Sequence, residues 1–226
     1  MIILVGASSG IGNEILNGLS EIDEVLAIYH DNEPKHTNDK IIYEKVDITK
    51  SDQVENLLIK YSTKLNNITF INLAAVVIDN LTPNITQGEI FKTYETNVFS
   101  NIYFVKYLSI KMIEQKWGRF IFFSSSKASK GDSGVSIYSS SKTSLIGYSR
   151  SLSKELGRYN ITSNLISLGY FEGSMWNRLE NKKKLELLKE VPTKKIGNAL
   201  NILNVINMLI KSDYVSGSNI NIDGGI

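Results

Sequence analysis

Tyr138 and Lys142 stand one helical turn apart in the run SIYSSSKTSLIGYSRSLSKEL, and the chemistry that this pair can do is acid–base. Ile137, Leu145, Ile146, Tyr148, Leu152 and Leu156 recur at roughly helical spacing, which predicts a helix from Ser136 to Leu156. A phenol and an ammonium then share one face of that helix. A free tyrosine titrates near ~10, and a nearby positive charge favours its phenolate. Lowering that pKa by about 3 takes roughly 4 kcal/mol, towards which a close lysine contributes in a poorly solvated pocket. The product is a tyrosine that exchanges protons near neutral pH. The same spacing also occurs in helices where the tyrosine packs and the lysine is solvated. The rest of the chain decides between the two.

The elements that must position the pair read as alternating strands and helices. MIILV is a short apolar run ended by Gly6. Gly6, Gly10 and Gly12 then precede a helix carrying Ile11, Ile15, Leu16 and Leu19. A strand, a glycine-rich turn and a helix N-terminus make an anion site, to which Ser8 or Ser9 adds a hydroxyl; an ordinary tight turn is the alternative. EVLAIYH and KIIYEKV are the second and third strands, and Thr49 or Ser51 is expected to cap the helix SDQVENLLIKYSTKL. NITFINLAAV, nearly all apolar, is the fourth strand. A long helical run from about Gly88 to Lys116 follows, then GRFIFFSSS, a fifth strand ending in Ser124, Ser125 and Ser126. NITSNLIS is the sixth strand, ALNILNVINMLIK the last helix and SGSNINIDGG the seventh strand. This order predicts an α/β fold: one doubly wound, Rossmann-type domain over residues 1–226 with a mostly parallel seven-stranded sheet. Right-handed crossovers put the ends of strands one, four, five and six on one ligand-binding edge.

Composition narrows the class. With 42% hydrophobic residues in 226, the chain can bury a sizeable core. Lys+Arg 25 against Asp+Glu 23 carries no nucleic-acid signature. No cysteine is present, so disulfides and thiolate metal sites are excluded, and His30 and His36 are too few for a histidine-based metal site. No metal is expected. The apolar runs are too short to span a bilayer and no basic segment precedes MIILV, so a cytoplasmic location without a membrane partner is expected.

Taken together, these residues resemble the short-chain dehydrogenase/reductase family over essentially the whole chain. Gly6-Ala-Ser-Ser-Gly10-Ile-Gly12 is similar to that family's cofactor loop, Asp47-Ile48 to its adenine contact, and Asn72-Leu73-Ala74-Ala75 to its Asn-Asn-Ala-Gly strand. Asn97 sits where the family has its catalytic asparagine, Ser125 precedes Tyr138 by the family's usual separation, and Lys142 completes a tetrad. The resemblance implies hydride transfer between a nicotinamide and a small carbonyl or alcohol substrate. Tyr138 would pass a proton to the carbonyl oxygen, Ser125 would hydrogen-bond that oxygen, Lys142 would hold the nicotinamide ribose and lower the pKa of Tyr138, and Asn97 would hold a relay water. Each residue also has a plainer reading. Ser125 can cap a turn, Asn97 can face solvent, and Asp47 can serve as a helix-cap or turn residue.

The chain departs from the family's pattern in places. Leu73 and Ala75 replace an asparagine and a glycine, and Leu168 stands before Gly169 where a proline is usual. Gly173 replaces a threonine that commonly reaches the nicotinamide, with Ser174 beside it as a substitute. Residues 169–197 form a short substrate lid bearing Phe171, Met175, Trp176 and Leu179. These departures keep a second function open, a nucleotide-binding regulatory or scaffold protein without turnover. Tyr29 stands where relatives that prefer NAD carry aspartate, and His30 where relatives that prefer NADP carry arginine, so NADP is expected ahead of NAD. Against this, Asp31 is one residue further on. A 3-oxoacyl-carrier-protein reductase is one candidate, with Lys116 and Arg158 as possible contacts to an acidic carrier; solvated helix-end cations are the plainer reading. The two long helices, with Ile102, Phe104, Tyr107, Leu108, Tyr148 and Leu152, predict a homotetramer or homodimer.

Overall fold

The computed structural model describes residues 1–32, 38–177 and 179–226, with the side chains of Ser174 and Met175 outside that description. The strands are β1 (Ile2–Val5), β2 (Val25–Tyr29), β3 (Ile41–Lys45), β4 (Thr69–Asn72), β5 (Gly118–Ser125), β6 (Ile161–Leu168) and β7 (Asn219–Ile222). They form one sheet in the order β3-β2-β1-β4-β5-β6-β7, and every neighbouring pair is parallel. The helices are α1 (Gly10–Ile22), α2 (Ser51–Lys60), α3 (Gln87–Tyr94), α4 (Ser100–Gln115), α5 (Ser126–Lys130), α6 (Ser136–Leu156), α7 (Ser174–Asn177), α8 (Asn181–Glu190) and α9 (Ala199–Lys211).

Side-chain alternation along each strand feeds two cores. Ile3, Val5, Leu26, Phe70, Phe120, Phe122 and Leu165 face α2, α4 and α6, while Ile2, Leu4, Ala27, Ile71, Ile121 and Ile166 face α1 and α9. Phe70 stacks on Phe104 of α4 at 5.0 Å between ring centroids and meets Phe120 and Phe122 edge-on. Burial of each such ring contributes about 2–3 kcal/mol. The helices are thereby locked onto the strands whose far ends carry the polar residues.

Several local expectations are corrected. The fourth strand ends at Asn72, so Leu73–Val76 belong to a loop leaving the sheet edge. The long run after it is not one regular helix, because a π turn over Glu95–Phe99 separates α3 from α4. The first residue of that run is Gln87, and Thr86 and Glu89 form a capping box. Lys50, not Thr49 or Ser51, takes the cap position of α2 and makes no side-chain cap bond. Phe104, Leu108 and Leu152 belong to the protomer's own core, so they supply no surface to a partner. Lys116 and Arg158 lie just before β5 and β6 begin, at the edge opposite the strand ends that bear Ser125 and Asn72. They are therefore not placed to hold a carrier at that edge.

Candidate active site

β4, β5 and β6 end side by side, with Asn72 opposite Phe122 and Ser125 opposite Leu168. Ser125 closes β5, and its Oγ accepts the Lys127 N–H at 3.2 Å, so the serine caps α5 as well as facing α6. The Tyr138 phenol interacts with the Ser125 hydroxyl; burial pushes its pKa up, and the bond to Ser125 draws it only partly back. Lys142, one turn along α6, is buried and donates from Nζ to the Phe123 carbonyl at 2.9 Å. Burial brings its pKa down from 10.5 to about 8. The two α6 side chains thus meet β5 two residues apart, at Ser125 and at Phe123. From the sequence, the lysine and a bound cofactor's positive charge together are expected to lower the phenol's pKa; in the protein without cofactor it is held above its ordinary value. Burial is the largest influence on it, and the ammonium is bound to a strand carbonyl.

Asn97 lies in the π turn and is fully buried. Its Oδ1 accepts the Val76 N–H at 2.8 Å, and its Nδ2 donates to the Val76 carbonyl and to Ser141 Oγ, both at 3.0 Å. Ser141 Oγ in turn donates to the Tyr138 carbonyl at 2.7 Å. The Asn97 side chain thus faces the interior, not solvent, and clasps the β4 exit to α6. Ser141 and Val76 are members that sequence reasoning missed. Ser141 shares its helical face with Leu145 and Leu152, and a serine within an apolar stripe was the available signal.

The glycine loop is a cradle without side chains. Gly6 has φ +84°, and a Cβ there would lie 2.8 Å from the Ala74 nitrogen; one on Gly12 would lie 2.2 Å from the Gly6 carbonyl oxygen. Ser9 caps α1, its Oγ accepting the Gly12 N–H at 3.0 Å, while Ser8 is half-buried and Ile11 packs towards the α1–α9 core. Bare backbone at the start of a 13-residue helix fits the phosphates of a dinucleotide. Asn72 is buried and reaches the loop indirectly, its Oδ1 accepting the Ala74 N–H at 2.9 Å. Gly169 presses on the backbone of Asp223, and its N–H binds the Ile222 carbonyl at 3.0 Å, so it ties β6 to the chain's last segment.

At the end of β2 the exposed His30 pairs through Nδ1 with Asp31 at 2.9 Å. The competing carboxylate is therefore beside the histidine and engaged with it. Asp47 forms a turn, its Oδ1 accepting the Thr49 N–H at 3.0 Å and the Thr49 hydroxyl at 2.7 Å. Burial raises its pKa, but these bonds and the nearby His30 outweigh that and hold it below the usual value. The Ile48 side chain packs into the core, leaving its backbone at the rim.

The segment expected from the sequence to form a lid, 169–197, is bridged at its base. Glu172 N–H binds the Gly197 carbonyl and Gly197 N–H binds the Tyr170 carbonyl, each at 2.9 Å. Above this bridge Gly173, at φ +134°, turns towards Gly10 and Ile11. The threonine substitute suggested by the sequence, Ser174, lies outside the described side chains, as does Met175 of the lid's apolar set. On the far lip, Lys127 pairs with Asp132 at 3.0 Å, and Lys183 of α8 adds to the positive field that lowers the Asp132 pKa.

Residues 1–184 match the family model described as short chain dehydrogenase. The chain belongs to the short-chain dehydrogenase family. It is 30% identical over 238 residues to the 3-oxoacyl-[acyl-carrier-protein] reductase FabG of Chlamydia muridarum, covering 99% of this chain and 96% of the relative. It is 25% identical over 233 residues to nodulation protein G of a Rhizobium species, covering 99% and 95%. A solved structure titled "ElxO with NADP Bound" superposes with a TM-score of 0.91 at 20% identity, over 99% of this chain and 97% of that one, and so shares the fold. This short-chain dehydrogenase is thus a member of a family of NAD(P)-dependent oxidoreductases. Among its described residues no helix is long and apolar enough to cross a membrane.

Proposed function

We propose that the protein uses NADP(H) to interconvert a small carbonyl compound and its alcohol, with Tyr138 as the acid–base group. The observation that carries this reading is the Ser125–Tyr138 hydroxyl pair at the end of β5, with buried Lys142 one turn along α6. Gly6, Gly10 and Gly12 with Ser8, Ser9 and the Ile11 backbone would receive the dinucleotide's phosphates, Asp47 and Ile48 would border its adenine, and Lys142 would meet its nicotinamide ribose. When bound, that cofactor supplies or accepts the hydride. Ser125 donates a hydrogen bond to the substrate's oxygen and stabilises the charge that develops there in a dry site. Tyr138 gives its proton to the same oxygen. A phenol held above its ordinary pKa stays protonated at neutral pH, which suits the reducing direction. Asn97 fixes the catalytic helix to the β4 exit.

The NADP-bound title of the solved neighbour supports NADP(H), and so does His30 at the end of β2. The Asp31 carboxylate on that histidine opposes a 2′-phosphate, so the pair sets the choice. NADPH and NADH oxidation should be measured across 3-oxoacyl thioesters, ketones and ketosugars, the first included because of the name of the Chlamydia muridarum relative. Tyr138→Phe should lower kcat by about 100-fold or more with cofactor affinity unchanged, since general acid catalysis is worth about that much. Turnover within threefold of wild type would remove Tyr138 from the chemistry. For the cofactor, His30→Ala should lower kcat/KM for NADPH about tenfold by loss of a hydrogen-bond donor to the 2′-phosphate, and Asp31→Asn should raise it by removing a carboxylate that repels that phosphate. A wild type that prefers NADH, or an NADPH preference untouched by losing His30, rejects this reading of the strand end.

A second reading is favoured by Gly173, which stands where the family commonly has a threonine and presents no side chain towards Gly10 and Ile11. In it the protein binds the nucleotide and does not turn over. Tight NADPH binding with no oxidation against any member of the panel is its signature.

A further inference from the structure

Asn101 opens α4 on the stripe that continues through Phe104, Leu108 and Met112, and it is only 3% exposed. An apolar residue would fill that position without desolvating an amide, so the asparagine must be explained by its partners. Its Nδ2 donates to the Asn97 carbonyl at 2.9 Å, and its Oδ1 accepts Asn72 Nδ2 at 3.0 Å. Beside it Ser100 Oγ donates to the Thr96 carbonyl at 2.6 Å. The π turn shifts the backbone donors by one residue, and these two side chains reach back to successive carbonyls within it. A polar chain therefore runs from Ala74, against Gly6, through Asn72 and Asn101 to the backbone of Asn97. From there the Asn97 amide and Ser141 carry it to Tyr138.

We infer that Asn101 is a positioning residue for the Tyr138–Lys142 pair, acting through the Asn97 backbone and joining the cofactor loop to the catalytic helix. The inference rests on the proposed reductase reading for its consequence in turnover, but its geometry is testable without cofactor or substrate. Asn101→Asp keeps the size and the acceptor for Asn72 and removes the donor to the Asn97 carbonyl. Asn101→Leu fills the same space with no polar group and takes its place if the added charge unfolds the chain.

Amide exchange of the unliganded protein should rise at least tenfold at Val76 and from Ser139 to Lys142 in the variant. Phe104–Met112 of the same helix and the β2–β3 edge should stay within twofold. Exchange unchanged at Val76 and Ser139–Lys142 overturns the inference, and so does a rise of equal size everywhere, which marks plain destabilisation. With NADPH and the fastest substrate of the panel, kcat should fall at least tenfold with KM for NADPH within threefold. A fall in affinity alone overturns the role. A wild type that oxidises no NADPH refutes the reductase reading, and the exchange result then still decides the positional one.

Discussion

Lys142 is the residue whose burial has the most measurable consequence. Its ammonium sits at 3% exposure against one carbonyl, and its pKa falls from 10.5 in water to about 8. Between those values the unfolded chain holds a proton that the folded chain has released, so stability rises with pH from about 8 to 10.5. Below pH 8 the buried charge is a burden, of about 3 kcal/mol by linkage. Losing the bond to the Phe123 carbonyl returns about 1 kcal/mol of that. Lys142→Met should therefore be inactive yet more stable at pH 7, by about 2 kcal/mol or several degrees in Tm. The gain should shrink as the pH approaches 10. Thermal melts of both proteins across pH 6–10 check this, and a variant less stable than wild type at pH 7 contradicts it.

At the scale of elements, the lid and the π turn decide how well the parts meet. Gly173 adopts φ +134°, which side-chain-bearing residues rarely take, and it brings the lid backbone to Gly10 and Ile11. Gly173→Thr restores the side chain usual in the family but forces the backbone out of that region, at a cost of about 1–3 kcal/mol. The lid should then leave the glycine loop, raising the Kd for NADPH about tenfold with little change in Tm. Tighter NADPH binding in this variant would show that the hydroxyl matters more than the backbone path. The strands were legible in the sequence because apolar runs such as MIILV and FIFF are buried on both faces. The glycine turn before α1 and the one-turn separation of Tyr138 and Lys142 were legible from spacing, while Ser125 was singled out by the family resemblance. The π turn was not legible, since ETNVF carries no helix breaker and the side chains that bond its carbonyls, Ser100 and Asn101, come after it. The place of Asp31 was open for a related reason, because whether it can reach the ribose depends on where β2 stops pairing; here it lies against His30.

At the scale of the whole molecule, an exposed apolar strip runs along α3 and α4. Phe91 is 51% exposed on α3, and Phe99, Ile102 and Ile110 follow at 37%, 38% and 60% along the π turn and α4. These replace Phe104, Leu108 and Leu152 as the residues offered to another chain. Beside them α6 turns out Ser140, Ser144, Gly147 and Ser151, small side chains that let a neighbouring helix approach closely. A bulky apolar strip next to a smooth one is self-complementary, which suits a two-fold contact between copies. We therefore expect a dimer or tetramer of the 25.3 kDa chain. The test is a charge placed where the protomer has room for it. A Cβ added at Gly147 meets nothing within 4 Å, so Gly147→Arg should fold, and replacing a helix-interior glycine gains about 0.5–1 kcal/mol. At a helix–helix contact the same guanidinium would be buried without a partner, a penalty of several kcal/mol. Light scattering at micromolar concentration should give a multiple of 25.3 kDa for wild type and the single-chain mass for a folded Gly147→Arg. A monomeric wild type rejects the assembly, and an oligomer that survives Gly147→Arg moves the contact off α6.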